Sequence, residues 1–289
     1  MVAPPIQTLA AALARKNAAG ARGTITDRRI AAGDGWRVHD VMCTCGPQDG
    51  LAEERSTANG IALVLAGSFV ARDQHGTSLL SAGSLFLTAP GRCFTCSHRH
   101  GEGDRCLSFQ FQPELFECIA HETGVVPALG HNHLPALRDL SRFTARAQVA
   151  MQSPEMMEEV ALDLAGAALR LAGRQRRATR SGEHHHGRLS DVLRLMAETS
   201  ATPYTLAELA RLARMSPYHF LRSFKAVTGV TPHQWLLRAR LRSAAERLAT
   251  TKTPVTEVAL RVGFEDLSNF TRSFRAEFGA SPREFRQAA

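Results

Sequence analysis

Leu206–Trp235 reads LAELARLARMSPYHFLRSFKAVTGVTPHQW, and Val255–Phe285 reads VTEVALRVGFEDLSNFTRSFRAEFGASPREF. The two stretches are copies of one pattern. Ala210 aligns with Ala259 at an offset of 49. Beyond a turn the offset becomes 50, and it matches Phe220 with Phe270, Arg222 with Arg272, Phe224 with Phe274, Lys225 with Arg275, Gly229 with Gly279 and Pro232 with Pro282. The extra residue falls in the turn, where an insertion is best tolerated. Each copy predicts helix, tight turn, helix. Thr205 caps the first helix, with Leu206, Leu209, Ala210 and Ala213 on one face. Ser216 caps the second, with Pro217 at its first position, and Gly229 ends it. In the second copy Thr253-Pro254 opens the first helix and Gly263 breaks it. Phe220 with Phe224, and Phe270 with Phe274, are four apart and bury together.

The opposite face of each second helix is cationic. Arg222 and Lys225, and Arg272 and Arg275, stand away from the phenylalanines at helical spacing, as a pair of helices entering a DNA major groove requires. Between the copies, Pro232–Ala249 (PHQWLLRARLRSAAERLA) is apolar at helical spacing through Leu236, Ala239, Leu241, Ala244 and Leu248. A helix of that length spans roughly 27 Å, near the roughly 34 Å turn of a duplex, so it would hold two reading helices on one side of the DNA, with some bending of the duplex.

Residues 188–289 as a whole resemble the DNA-binding domain of the AraC/XylS transcriptional regulators. The resemblance rests on A-x-x-x-x-M-S at Ala210–Ser216, R-S-F-K-x-x-x-G-x-x-P at Arg222–Pro232, R-L-x-x-A-x-x-x-L at Arg240–Leu248, V-x-E-V-A-x-x-V-G-F at Val255–Phe264 and F-x-R-x-F-R-x-x-F-G-x-S-P at Phe270–Pro282. It implies promoter binding by both recognition helices. Tyr218, Leu221 and Arg222 would face bases from the first, and Ser268, Asn269 and Arg272 from the second. Leu221 is apolar where many relatives are polar, which suits a thymine methyl or no contact. Ser216, Lys225, Thr271 and Arg275 would hold the phosphate backbone. The resemblance further implies an activator, a homodimer and contact with RNA polymerase.

The charge distribution agrees. Residues 1–186 hold 19 basic and 18 acidic residues, whereas residues 187–289 hold 16 basic and 9 acidic, so the excess of +8 sits almost wholly at the C-terminal end. With 289 residues, 44% hydrophobic and 21% charged, the chain is long enough for two domains and is not a disordered polymer. No apolar run reaches membrane-spanning length, and the N-terminal stretch lacks a secretory pattern, so a cytoplasmic protein with no membrane partner is expected.

The expected architecture is α+β in two domains. Residues 1–172 form a sensor and dimerisation domain, 173–187 a linker, and 188–289 an all-α domain of two helix-turn-helix units joined by a linker helix. The linker, GRQRRATRSGEHHHG from Gly173, is polar and basic, and His184–His186 within it cannot be preorganised as a metal site. Residues 36–120 carry short β-like runs: Trp36–Cys45, Gly60–Val70 with a bulge at Gly67, Thr77–Ala82, Ser84–Thr88 and Arg105–Phe111. They predict a small barrel or sandwich, and Gly83–Gly91 (GSLFLTAPG) resembles a cupin turn, which implies a cupin-like β-barrel followed by helices. Residues 134–174 read as amphipathic helices that pack on the barrel or form a dimer interface.

The six cysteines all lie in the first part, and in a reducing compartment they are not a disulfide framework. Cys43-x-Cys45 places two thiols on one strand face, Cys93-x-x-Cys96 has a soft-metal spacing, His98 and His100 add imidazoles, and Cys106 follows across an expected hairpin. Three readings stay open: a site for zinc, another soft metal or a small effector; a thiol redox switch or electrophile trap; and plain packing around an organic effector. Cys118 reads as a buried hydrophobe, and His75 as a solvated turn residue. No enzyme is expected. The alternatives are a cupin-type metalloenzyme, which lacks its His and Glu spacing here, and a cysteine methyl-acceptor DNA-repair regulator.

Overall fold

The computed structural model describes residues 8–49, 53–74, 76–98, 102–125, 133–151, 156–174 and 186–288. His75, His100 and most of the expected linker lie outside the described residues. The N-terminal part opens with α1 (Leu9–Ala18), then β1 (Ile25–Gly33), β2 (Trp36–Cys43), β3 (Glu53–Arg55), β4 (Asn59–Asp73), β5 (Gly76–Ser81), β6 (Leu85–Thr88), β7 (Cys93–Ser97) and β8 (Asp104–Phe111). It continues through α2 (Pro113–Glu122), β9 (His133–Leu134), α3 (Arg138–Ala150) and α4 (Met157–Arg174).

The strands form an open, branched sheet rather than the closed barrel expected. Its path runs β1-β2-β8-β4-β6-β9, and β3, β5 and β7 attach to a second layer built on β4. The long β4 belongs to both layers: residues 59–67 pair with β8, and residues 68–73 pair with β5. The crossing point is where the sequence predicted a bulge. The register slips between Val64 and Ala66, and Gly67 then takes φ +74°. A Cβ at Gly67 would stand 2.3 Å from the Gly103 carbonyl oxygen, so only glycine lets the two chains approach there.

Strand alternation divides the sheet into two faces. Val38, Leu63, Leu107, Phe109 and Phe111 pack against Phe116 of α2, Phe143 of α3 and Val160 and Leu164 of α4, which forms the main N-terminal core. The helices over 134–174 therefore do pack on the sheet. The other face carries Val64, Phe69, Phe86 and Cys106. β1 runs through Ala31 and Ala32 to Gly33, and the turn into β2 is Asp34-Gly35.

The C-terminal part is helical throughout: α5 (His186–Glu198), α6 (Leu206–Leu212), α7 (Pro217–Thr228), α8 (Pro232–Thr250), α9 (Val255–Arg261), α10 (Leu267–Phe278) and α11 (Pro282–Ala288). Two cores repeat one design. Leu209, Phe220 and Phe224 close on Trp235 of α8 and on Leu189 and Val192 of α5. Val258, Phe270 and Phe274 close on Leu241, Ala244 and Leu248 of α8. One 19-residue helix, about 28 Å long, thus supplies a wall to each unit.

Candidate nucleic-acid interface and a buried thiol–histidine cluster

The two recognition helices, α7 and α10, are built alike. Each has 12 residues, an N-cap side chain that accepts backbone hydrogen bonds, and a left-handed glycine at its C-cap, Gly229 at φ +75° and Gly279 at φ +81°. Ser216 Oγ accepts from His219 N at 3.3 Å. Asp266, which the sequence reading did not single out, accepts from Ser268 N at 2.8 Å and Asn269 N at 3.2 Å. Phe220 and Phe224 are fully buried with ring centroids 5.5 Å apart, and Phe270 and Phe274 repeat this at 5.6 Å.

That packing aims the remaining side chains outward. Ser216, Tyr218, Arg222 and Lys225 are exposed, and Leu221 is half-buried. On α10, Ser268, Asn269, Arg272 and Arg275 are exposed, and Thr271 is half-buried, as Leu221 is at the matching position. Tyr218 is 71% exposed, although an aromatic ring has apolar surface to hide. The Arg222 guanidinium lies 5.8 Å from the centre of that ring, so the two present one cationic, planar unit. Thr205 and Thr231 carry reciprocal capping boxes with Glu208 and Gln234, which fix where α6 and α8 begin.

The helical part docks on the sheet part. Ser68 Oγ of β4 lies 3.2 Å from Ser190 Oγ of α5. Arg238 of α8 donates to the Ala136 carbonyl at 2.6 Å and pairs with Glu277 of α10 at 3.5 Å. Ser141 of α3 donates to the same Glu277 carboxylate. The sequence reading missed this contact because Glu277 is a surface-type residue at the end of a polar helix.

The cysteines separate into two groups. Cys43, Cys96, His98 and Cys106 line one cavity of about 330 Å³ between the sheet layers, together with Asp104, Phe69, Phe86 and Phe94. Cys45 lies past the end of β2, half-buried, and does not line this cavity. Cys93 is exposed. On β7 residues three apart point to opposite faces, so Phe94, Cys96 and His98 face the cavity and the Cys93-x-x-Cys96 pair does not form a chelate. Cys96 and Cys106 are not hairpin partners either: β7 pairs with β3 and β4, and β8 with β2 and β4. Cys118 is exposed on α2, not buried as expected.

Asp104, absent from the sequence reading, is the centre of the buried group. Its Oδ1 lies 2.7 Å from His98 Nε2, and its Oδ2 accepts from Cys106 Sγ at 3.0 Å. His98 Nδ1 lies 3.9 Å from Cys43 Sγ. Burial pushes the thiols of Cys43, Cys96 and Cys106 well above the ordinary range, and the nearby Asp104 carboxylate raises them further. The adjacent cation, Arg105, faces the other side of β8 and is held by Asp40 at 2.8 and 2.9 Å.

Among the described residues no helix is long and apolar enough to cross a membrane. Residues 209–288 match a family model described as a helix-turn-helix domain. RclR of Escherichia coli, an RCS-specific HTH-type transcriptional activator, is 36% identical over 102 residues, which are 35% of this chain and 36% of that protein. RhaS of Enterobacter sp., an HTH-type transcriptional activator, is 26% identical over 230 residues, 74% of this chain and 83% of that protein. The DNA-binding domain of AdpA, solved with a target DNA, is 35% identical, with a TM-score of 0.34 over 35% of this chain and 90% of that one. With its paired helix-turn-helix units and transcriptional activators among its relatives, the C-terminal part of the chain carries an AraC-type helix-turn-helix domain.

Proposed function

We propose that the chain binds promoter DNA through α7 and α10, with residues 188–289 as the DNA-binding domain, 173–187 as the linker and 1–172 as the sensor and dimerisation domain. The carrying observation is the matched exposure of Tyr218, Arg222 and Lys225 on one helix and of Ser268, Arg272 and Arg275 on the other, on two units braced by one α8. Base contacts come from Tyr218, Leu221, Arg222, Ser268, Asn269 and Arg272; backbone contacts come from Ser216, Lys225, Thr271 and Arg275. The protein acts in the cytoplasm as a homodimer and as an activator that engages RNA polymerase. The names of RclR and RhaS support the activator reading.

The sensor half is a cupin-like sheet whose cavity, lined by Cys43, Cys96, His98 and Cys106, takes a small effector or a metal ion. Occupancy shifts the packing of the two halves, and so the population able to engage DNA. A methyl-acceptor reading has less support, since the cavity thiols of Cys43 and Cys106 are buried and burial disfavours their thiolates in the absence of a cation.

The test is selection of bound duplexes from a randomised pool, followed by footprinting. Two protected major-groove segments about one turn apart are expected. Arg222→Ala and Arg272→Ala each weaken specific binding by about 1–3 kcal/mol where the arginine reads a guanine. Unchanged affinity and footprint in both variants would overturn the assigned faces.

A further inference from the structure

Cys43, His98 and Asp104 come from three places in the chain: the last residue of β2, the residue after β7 and the first residue of β8. Strand register makes Cys43 and Asp104 direct partners, and the second layer brings His98 over them. One ligand atom from each lies within 4.8 Å of the others, and all three residues are buried. We propose that Cys43, His98 and Asp104 bind one divalent borderline-to-soft cation, zinc by its chemistry, in the wall of the cavity. The inference deepens the sensor half of the proposed function and rests on that half alone.

Three considerations point to a cation. The donor set is one sulfur, one nitrogen and one oxygen, which is the mixture zinc takes. Charge also balances: a Cys43 thiolate and the Asp104 carboxylate neutralise a divalent ion, and the partners the carboxylate already has, the His98 ring and the Cys106 thiol, carry no fixed positive charge. Arg105 cannot supply that charge, because it points to the opposite face and is bound by Asp40. The geometry is near what is needed as well. Zinc bonds of about 2.0–2.3 Å set tetrahedral donors roughly 3.2–3.8 Å apart; Cys43 Sγ lies 3.9 Å from His98 Nδ1 and Asp104 Oδ1 lies 2.7 Å from the other ring nitrogen, Nε2, so the imidazole turns to offer one nitrogen to an ion shared by both.

Cys106 has a supporting place in this arrangement. It donates to the second Asp104 oxygen and so orients the carboxylate. Three protein donors leave one coordination position open. Cys43, His98 and Asp104 line a cavity that Phe69, Phe86 and Phe94 also wall, so the class of effector a bound ion would take there is a small molecule with an anionic or soft donor atom and an apolar body.

The experiment uses the full chain, purified anaerobically, stripped by a chelator and titrated with Co²⁺ and then Zn²⁺. One equivalent of Co²⁺ should bind with tetrahedral d–d absorption and a thiolate-to-cobalt charge-transfer band, and zinc should displace it. Cys43→Ser should abolish the charge-transfer band. Asp104→Asn should weaken zinc binding at least tenfold, and Cys93→Ser and Cys118→Ser should leave it unchanged. The wild-type spectrum decides the matter even if a buried variant fails to fold. Absence of stoichiometric cobalt uptake, a band that persists in folded Cys43→Ser, or alkylation of Cys43 in zinc-loaded protein as fast as Cys93 would overturn the site. If stripped protein still protects its duplex and takes up no metal, the cation site fails and the DNA-binding reading stands. If metal binds and Arg222→Ala with Arg272→Ala changes nothing on DNA, the reverse holds.

Discussion

Arg240 lies midway along α8 and donates to four carbonyl oxygens: Ser200 at 2.7 Å, Gly263 at 2.9 Å, Thr202 at 3.1 Å and Ala201 at 3.2 Å. It ties the loop before the first helix-turn-helix unit to the turn inside the second. Arg240→Ala leaves those acceptors without their donor and should cost about 1–3 kcal/mol, read as a shift in the denaturant midpoint. Arg240→Lys should not restore it, because an ammonium cannot fork to several carbonyls from one plane. Gly263→Ala acts at the same junction: φ is +90°, and a Cβ would meet the Ala201 carbonyl oxygen at 2.6 Å, so a loss of about 1–3 kcal/mol is expected. The role of Gly263 as a helix breaker was legible in the sequence, since a glycine before Phe264 interrupts an apolar period. The role of Arg240 was not, because an arginine on a polar helix face looks the same whether it meets water or four carbonyls. Asp104 escaped for the same reason: a carboxylate after a Gly-Glu-Gly turn reads as solvated until strand pairing places it opposite Cys43.

Helices announced themselves more clearly than strands. The caps at Thr205, Ser216 and Gly229, and the buried phenylalanine pairs, depend on residues within one or two turns, so they stand in the linear pattern. Ser216→Ala should cost about 1 kcal/mol of stability and should lower DNA affinity further than that, because it frays the end of α7 that presents Tyr218. Circular dichroism melts and a binding titration separate the two effects. Strand partners, by contrast, are set at a distance. Cys93-x-x-Cys96 had a chelating spacing on paper, but an extended backbone turns alternate side chains to opposite faces, and the pair is split. Alkylation of the native chain should therefore label exposed Cys93 and Cys118 at least tenfold faster than buried Cys43 and Cys106, as mass mapping of the modified peptides would show.

The whole molecule joins its halves through a few polar contacts laid over apolar ones. Glu277 is the centre of one, buried between Ser141 of α3 and Arg238 of α8 while it sits on recognition helix α10. Glu277→Gln removes the charge that Arg238 pairs with, so amide exchange should quicken by several-fold in both α3 and the last turn of α10, and far less in α6. Uniform exchange rates across those elements would show that the contact does not couple the halves. Charge asymmetry marks the end of the chain that carries the helix-turn-helix units, but nothing in a one-dimensional pattern records that this basic end folds back on the nearly neutral one.

β4 gives that fold-back a particular meaning. Phe69 turns into the thiol-lined cavity, while its neighbour Val70 packs with Leu79 against the hydrophobic interior of the first helix-turn-helix unit. The two compartments therefore have a party wall one polypeptide thick. Whatever swells or empties one room presses on the other through a single peptide plane, with no relay of intervening parts.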